Sequence, residues 1–134
     1  LRQGSGTAIL AFGSMVQVCR EVAGQAGATL LDMRFVKPLD RQAILDAAAS
    51  HDRLVTVEEN AVAGGAGSGV NELLAAEGIS LPVLNIGLDD CYIQHGTRAE
   101  CLHLAGLDTQ GILQKIQTFQ KQKPDTDIRH NLAG

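Results

Sequence analysis

The sequence predicts an α/β fold in which a mostly parallel β-sheet is covered by helices on both faces. Short apolar, β-branched runs alternate along the chain with segments whose apolar residues recur at helical spacing. Parallel neighbours need a crossover connection, and this alternation supplies a helix between successive strands. The 134 residues suit one domain, and 45% hydrophobic but only 3% aromatic residues predict a core of small aliphatic side chains.

Four runs are the predicted strands: TAILAF, ATLLDM, RLVTVE and PVLNIGL, which begin at residues 7, 28, 53 and 82. Asp40 and Asp108 are predicted N-caps, and a short helix is expected around residues 98–104. The longer helices are predicted from apolar residues at helical spacing: Met15, Cys19, Val22 and Ala26; Ile44, Leu45 and Ala48; Val70, Leu73 and Leu74; Ile112, Leu113, Ile116 and Phe119.

Charge and composition exclude several classes of function. The net charge is -4 and the 11 Lys and Arg residues are scattered, so no basic surface for nucleic acid is expected. No apolar run reaches the roughly 18–20 residues of a membrane span. Three cysteines without a C-x-x-C spacing argue against a secreted disulfide framework and predict a reducing, cytoplasmic location.

The N-terminus LRQGSGT lacks both a starting Met and the layout of a signal peptide. We therefore expect the chain to be part of a longer one. Residues 1–122 are predicted to form the domain, and the polar residues 123–134 a flexible tail.

The stretch VEENAVAGGAGSGVNE, residues 57–72, has the order strand, glycine loop, helix that is typical of phosphate sites. It fails both nucleotide templates, because Val70 stands where a dinucleotide fingerprint needs Gly and Gly69 where a P-loop needs Lys. One interpretation is a turn that brings the next helix close to the sheet or to another domain. The other is an anion site on the N–H groups from Gly65 to Gly69.

Several polar residues follow the predicted strands. Glu58 and Glu59 are neighbours on an extended chain and point to opposite faces, so a shared acid and base role is not expected. Each could simply be solvated, could cap nearby N–H groups, or could act at a boundary with another domain. Arg34 is the best cationic candidate, for a salt bridge or a phosphate contact. The spacing of four possible zinc ligands, Cys91, His95, Cys101 and His103, matches no common structural site.

Four motifs carry a resemblance to a known family: DMRFVKPLD at 32–40, LVTVEEN at 54–60, GGAGSGVNE at 64–72 and LNIGLDD at 84–90. In this order and spacing the chain resembles the C-terminal domain of the 1-deoxy-D-xylulose-5-phosphate synthases, which are transketolase-like thiamine diphosphate enzymes. The resemblance implies a three-layer α/β/α fold with a five-stranded mixed sheet. Its first strand, antiparallel to the others, would survive here only as residues 1–3. Gln94 departs from the family, where Pro is usual.

The resemblance also implies a function for the complete enzyme. The family joins pyruvate, with loss of carbon dioxide, to D-glyceraldehyde 3-phosphate, in the synthesis of precursors of isoprenoids, thiamine and pyridoxal. Thiamine diphosphate and Mg²⁺ would be bound by the upstream domains, so no catalytic, cofactor-binding or metal-binding residue is expected here.

The same resemblance implies that the carboxyl edge of the sheet contacts the upstream domains or a second subunit of a homodimer. The candidate contact residues are Arg34, Lys37, Glu58, Glu59, Asn60, Gly64, Gly65, Gly67 and His95. Two alternatives stay open: a small anion-binding or nucleotide-binding regulatory module, and the equivalent domain of another thiamine diphosphate enzyme.

Overall fold

A computed structural model describes residues 6–13, 15–33, 40–58, 65–87 and 108–122 of the chain. The predicted alternation of strands and helices is confirmed in these ranges. The elements are β1 Thr7–Phe12, α1 Met15–Ala26, β2 Thr29–Met33, α2 Arg41–Ser50, β3 Arg53–Val57, α3 Ala66–Ala76, β4 Val83–Ile86 and α4 Thr109–Gln120.

The described strands form one parallel sheet in the order β2-β1-β3-β4. Four strands are seen where five were expected. The expected antiparallel strand at residues 1–3 falls outside the described residues, as do the short helix around 98–104 and the tail 123–134. The α/β/α fold class is confirmed, with four described strands.

Alternating side chains of the strands build two apolar cores, one on each face of the sheet. In β1, Ile9 faces α1 and α4, whereas Leu10 faces α2 and α3. Both side chains are fully buried. Cys19 lies in the first core, and burial raises the pKa of its thiol to about 12, so that it stays neutral at physiological pH.

Local signals set the starts of two helices. The Asp40 carboxylate accepts a hydrogen bond from the Ala43 N–H at 3.1 Å, and Asp108 accepts one from the Gly111 N–H at 2.8 Å. Both predicted N-caps are confirmed.

Helix α2 departs in one detail from its predicted stripe. Ile44 and Ala47 are buried against the sheet, whereas Leu45 and Ala48 are only half-buried. The rotation of α2 about its own axis decides which side chains the sheet covers. Helical spacing alone does not specify that rotation.

Arg53 joins the beginning and the end of the described chain at the amino edge of the sheet. The Gly6 carbonyl accepts hydrogen bonds from the N–H groups of Asp52 and Arg53 at 2.7 and 3.1 Å. The Arg53 guanidinium donates to the carbonyls of Phe119 and Gln122 at 3.0 and 3.1 Å and lies 5.5 Å from the Phe119 ring centroid. Phe119 lies in the last turn of α4 and Gln122 directly follows its C-cap, so a cation there also complements the helix dipole.

We predict that Arg53→Met destabilises the domain by about 1–2 kcal/mol, because the terminal carbonyls of α4 lose a charged donor. Urea unfolding followed by circular dichroism measures the change. Arg20→Met, at an exposed position of α1, is the matched control and should stay within about 0.5 kcal/mol of the parent. Equal unfolding free energies for the two variants would contradict the assigned role of Arg53.

Candidate functional site

Five residues meet where β3 and β4 end beneath the first turn of α3: Thr56, Glu58, Ala66, Gly67 and Asn85. We call this group the rim cluster. It lies at the carboxyl edge of the parallel sheet, which is the edge where ligands and contacts gather in open α/β sheets.

Glu58 is the charged centre of the rim cluster. It directly follows β3, and its N–H donates to the Ile86 carbonyl at 3.1 Å. Its side chain is only 1% exposed. One carboxylate oxygen, Oε1, accepts a hydrogen bond from the Ala66 N–H, and Oε2 accepts one from the Gly67 N–H, each at 2.7 Å.

These two hydrogen bonds satisfy N–H groups at the start of α3. The first N–H groups of a helix have no intrahelical partner, and the N-cap of α3 is Gly65, which has no side chain to cap them. Glu58 supplies the missing acceptor from the neighbouring strand. An ionised carboxylate is also favoured at the positive end of the helix dipole. The capping role considered for Glu58 is therefore the one that its described contacts show.

Thr56 and Asn85 form the floor on which α3 rests. They are register partners on the adjacent strands β3 and β4, and the Thr56 hydroxyl donates to Asn85 Oδ1 at 2.6 Å. Thr56 is fully buried. Within the described ranges, no buried side-chain nitrogen or oxygen lacks a hydrogen-bond partner. The polar contact beneath α3 is thus fully satisfied.

Gly67 is required by the closeness of helix and sheet. A Cβ atom at this position would lie 2.8 Å from Asn85 Oδ1 and 2.8 Å from Thr56 Oγ1, nearer than real Cβ atoms come. The interpretation that glycine permits a close approach of the helix to the sheet holds at this position.

The anion-site interpretation of the glycine loop is not favoured. Two of the N–H groups in the proposed cradle, those of Ala66 and Gly67, already bind the Glu58 carboxylate. An external anion there would have to displace a buried, paired charge. The rim cluster also lines neither of two open grooves, of about 340 and 650 Å³, that described residues form beside Val83 at the other end of β4.

Three of the predicted contact residues, Glu58, Gly65 and Gly67, lie together at the carboxyl edge. The other six fall outside the described residues: Arg34, Lys37, Glu59, Asn60, Gly64 and His95. The four possible zinc ligands, Cys91, His95, Cys101 and His103, also fall outside the described residues. A contact with another domain stays a prediction for all nine residues.

The described residues hold neither a cluster of metal-ligand side chains nor a helix able to span a membrane. They contain no group of three or more His, Cys, Asp or Glu that could hold a metal ion. None of the helices in this part of the chain combines the length and apolar character needed to cross a bilayer.

Sequence reasoning missed Thr56 and Asn85. One signal was available, the alternation of side chains along a strand. Residues 54, 56 and 58 lie on the same face of β3 and its end, so Thr56 and Glu58 point to the same side of the sheet. The missing piece was the register between β3 and β4, which sets Asn85 opposite Thr56.

Comparison with known proteins identifies the domain. Residues 1–112 match the family model described as "Transketolase, C-terminal domain". The chain belongs to the transketolase C-terminal domain family. A solved structure described as "Split gene transketolase, inactive beta4 tetramer" is similar to this transketolase C-terminal domain with a TM-score of 0.79 and 30% sequence identity, covering 87% of this chain and 40% of that one.

Curated relatives of this transketolase C-terminal domain carry a more specific name. The 1-deoxy-D-xylulose-5-phosphate synthase of Methylococcus capsulatus is 56% identical over 132 residues, 98% of this chain and 21% of the relative. That of Chromohalobacter salexigens is 61% identical over 111 residues, 83% of this chain and 17% of the relative. The chain thus spans about a fifth of the length of these relatives, and the family resemblance seen in its motifs is confirmed.

We predict that Gly67→Ala destabilises the domain by about 1–3 kcal/mol, because the added methyl overpacks the Thr56–Asn85 contact. Urea unfolding measures the loss. Gly24→Ala is the control: it lies inside α1 with nothing within 4 Å of its Cβ position, and should stabilise by roughly 0.5–1 kcal/mol. A tolerated Gly67→Ala would show that the helix does not lie this close to the sheet.

Proposed function

We propose that this chain is the C-terminal domain of a 1-deoxy-D-xylulose-5-phosphate synthase. That enzyme is a transferase which condenses pyruvate with D-glyceraldehyde 3-phosphate and releases carbon dioxide. The observation that carries the proposal is the 56% identity to the Methylococcus capsulatus synthase over 98% of this chain. Synthases from other bacteria match at 48–61% identity, and none of these relatives has another enzyme name.

Within that enzyme we assign this domain a role in assembly. The described residues at the carboxyl edge contact one another: Glu58 is bound within the chain, and Gly67 seats α3 on the sheet. A rigid edge of this kind suits docking against the upstream domains or a second subunit. The proposal extends to a cytoplasmic homodimer that serves isoprenoid and thiamine synthesis.

Thiamine diphosphate and Mg²⁺ are proposed to bind outside this domain. A diphosphate needs free N–H donors or cations, and two N–H groups at the start of α3 already bind Glu58. Mg²⁺ needs converging oxygen ligands, and the described residues offer no cluster of three candidate ligand side chains. The described residues do not fit the cofactor, so no catalytic step is assigned to them.

A domain exchange tests the proposal. We predict that the Methylococcus capsulatus synthase retains activity within about tenfold when these 134 residues replace its own matching segment, because a matching edge restores assembly. Pyruvate-dependent release of carbon dioxide measures activity, and sedimentation measures assembly. A chimera that folds and assembles but releases no carbon dioxide would contradict the proposed enzyme.

The role of the edge is tested in the same chimera with Gly65→Val. Gly65 has φ -91°, a backbone conformation that valine adopts without strain, and urea unfolding of the chimera separates a loss of docking from a loss of helix capping. Gly24→Val, on the opposite layer, is the control. Unchanged assembly and full activity in Gly65→Val would count against docking through this edge.

A further inference from the structure

Glu58 binds its own domain in the way that a bound anion would bind a helix start. We propose that Glu58 is a positioning residue for assembly: its charge fixes the first turn of α3, and that turn gives the docking edge its shape. This inference rests on the proposed function, and it assigns Glu58 an indirect role, without contact to the docking partner.

Burial argues for the indirect role. The side chain is 1% exposed, and each carboxylate oxygen already accepts a hydrogen bond of 2.7 Å. A buried carboxylate is tolerated only when it is paired, and here the pairing is with N–H groups of the same domain. The carboxylate is therefore not available for direct contact with a partner surface.

The geometry requires an anion and not merely a polar group. Both contacts are donors, the N–H groups of Ala66 and Gly67, and they converge on the two oxygens of one carboxylate. Glutamine at position 58 has the same shape but offers one oxygen and one NH₂ group. One backbone N–H would then face another donor, and the helix start would have to shift.

A shift of the helix start reaches the surface directly. Ala66 and Gly67 are buried, whereas the adjacent Gly65, Ser68 and Gly69 are half-buried, and Asn85 beneath them is half-buried as well. Gly67 lies so close to the sheet that a Cβ atom there would be 2.8 Å from Thr56 Oγ1 and from Asn85 Oδ1. The first turn therefore cannot move without moving the half-buried residues of the edge.

Chemical rescue separates the charge of Glu58 from its bulk. Glu58→Ala removes a group with the size and shape of acetate and leaves two N–H donors facing the space. In the chimeric synthase, we expect the variant to raise the subunit dissociation constant by about tenfold or more, with activity falling in parallel. Acetate at tens of millimolar should restore at least half of the loss. Acetamide, which has the same shape without the charge, should not.

Two further variants keep the test decisive. Glu58→Gln should fold, because it preserves the volume, and should still weaken assembly. Glu72→Ala removes an exposed carboxylate from the same helix and should leave assembly and activity unchanged, with or without acetate. Rescue by acetamide as good as that by acetate would overturn the requirement for charge. Normal assembly of both Glu58 variants would overturn the positioning role.

The outcomes also separate this inference from the function on which it rests. A parent chimera that folds and assembles but is inactive refutes the proposed enzyme, whatever Glu58 does. An active parent with fully active and assembled Glu58 variants refutes the positioning role and leaves the enzyme assignment standing. If Glu58→Ala does not fold, weakened assembly of Glu58→Gln supports the proposal and its normal assembly refutes it.

Discussion

The carboxylate of Glu58 joins a strand end to a helix start, and the carboxyl edge of the domain depends on that contact. Through it β3 binds α3, and through the Glu58 N–H β3 also binds the end of β4. Glu58, at the end of β3, is therefore held next to the first turn of α3. The helix start that the sequence offers as an anion site is therefore occupied by a carboxylate of its own domain.

Apolar burial and the rim cluster contribute different things. Burying one Val or Leu side chain is worth about 1.5–3 kcal/mol, and α3 buries Val70 and Leu74 against the sheet. A hydrogen bond to a charged group is worth roughly 1.5–3 kcal/mol net, so the two bonds to Glu58 are comparable in size with the burial of these two side chains. The bonds of the rim cluster are also directional, and Gly67 permits the close approach of α3 to the sheet that they require. The core holds the helix on the sheet, and the rim cluster fixes where its first turn lies.

What the sequence could predict followed from local chemistry. The bounds of β1 and the N-caps Asp40 and Asp108 depend only on residues that are close in the sequence. The sequence pattern therefore predicted them correctly. The Thr56–Asn85 contact depends on how β3 and β4 align, and Glu58 contacts residues of α3 that lie eight and nine positions further along the chain. Such contacts are set by pairing between distant segments, which no local pattern contains. The alternation of strands and helices predicted the fold class, the family resemblance supports the proposed function, and the structure shows which groups bind Glu58.

Amide hydrogen exchange at the start of α3 tests the central contact most directly. First-turn N–H groups have no intrahelical acceptor and normally exchange rapidly with solvent. If Glu58 binds them, the amides of Ala66 and Gly67 exchange as slowly as core amides of β3, and Glu58→Gln speeds their exchange while β3 stays protected. Exchange of both amides at the rate of an open helix end in the unsubstituted protein would contradict the account.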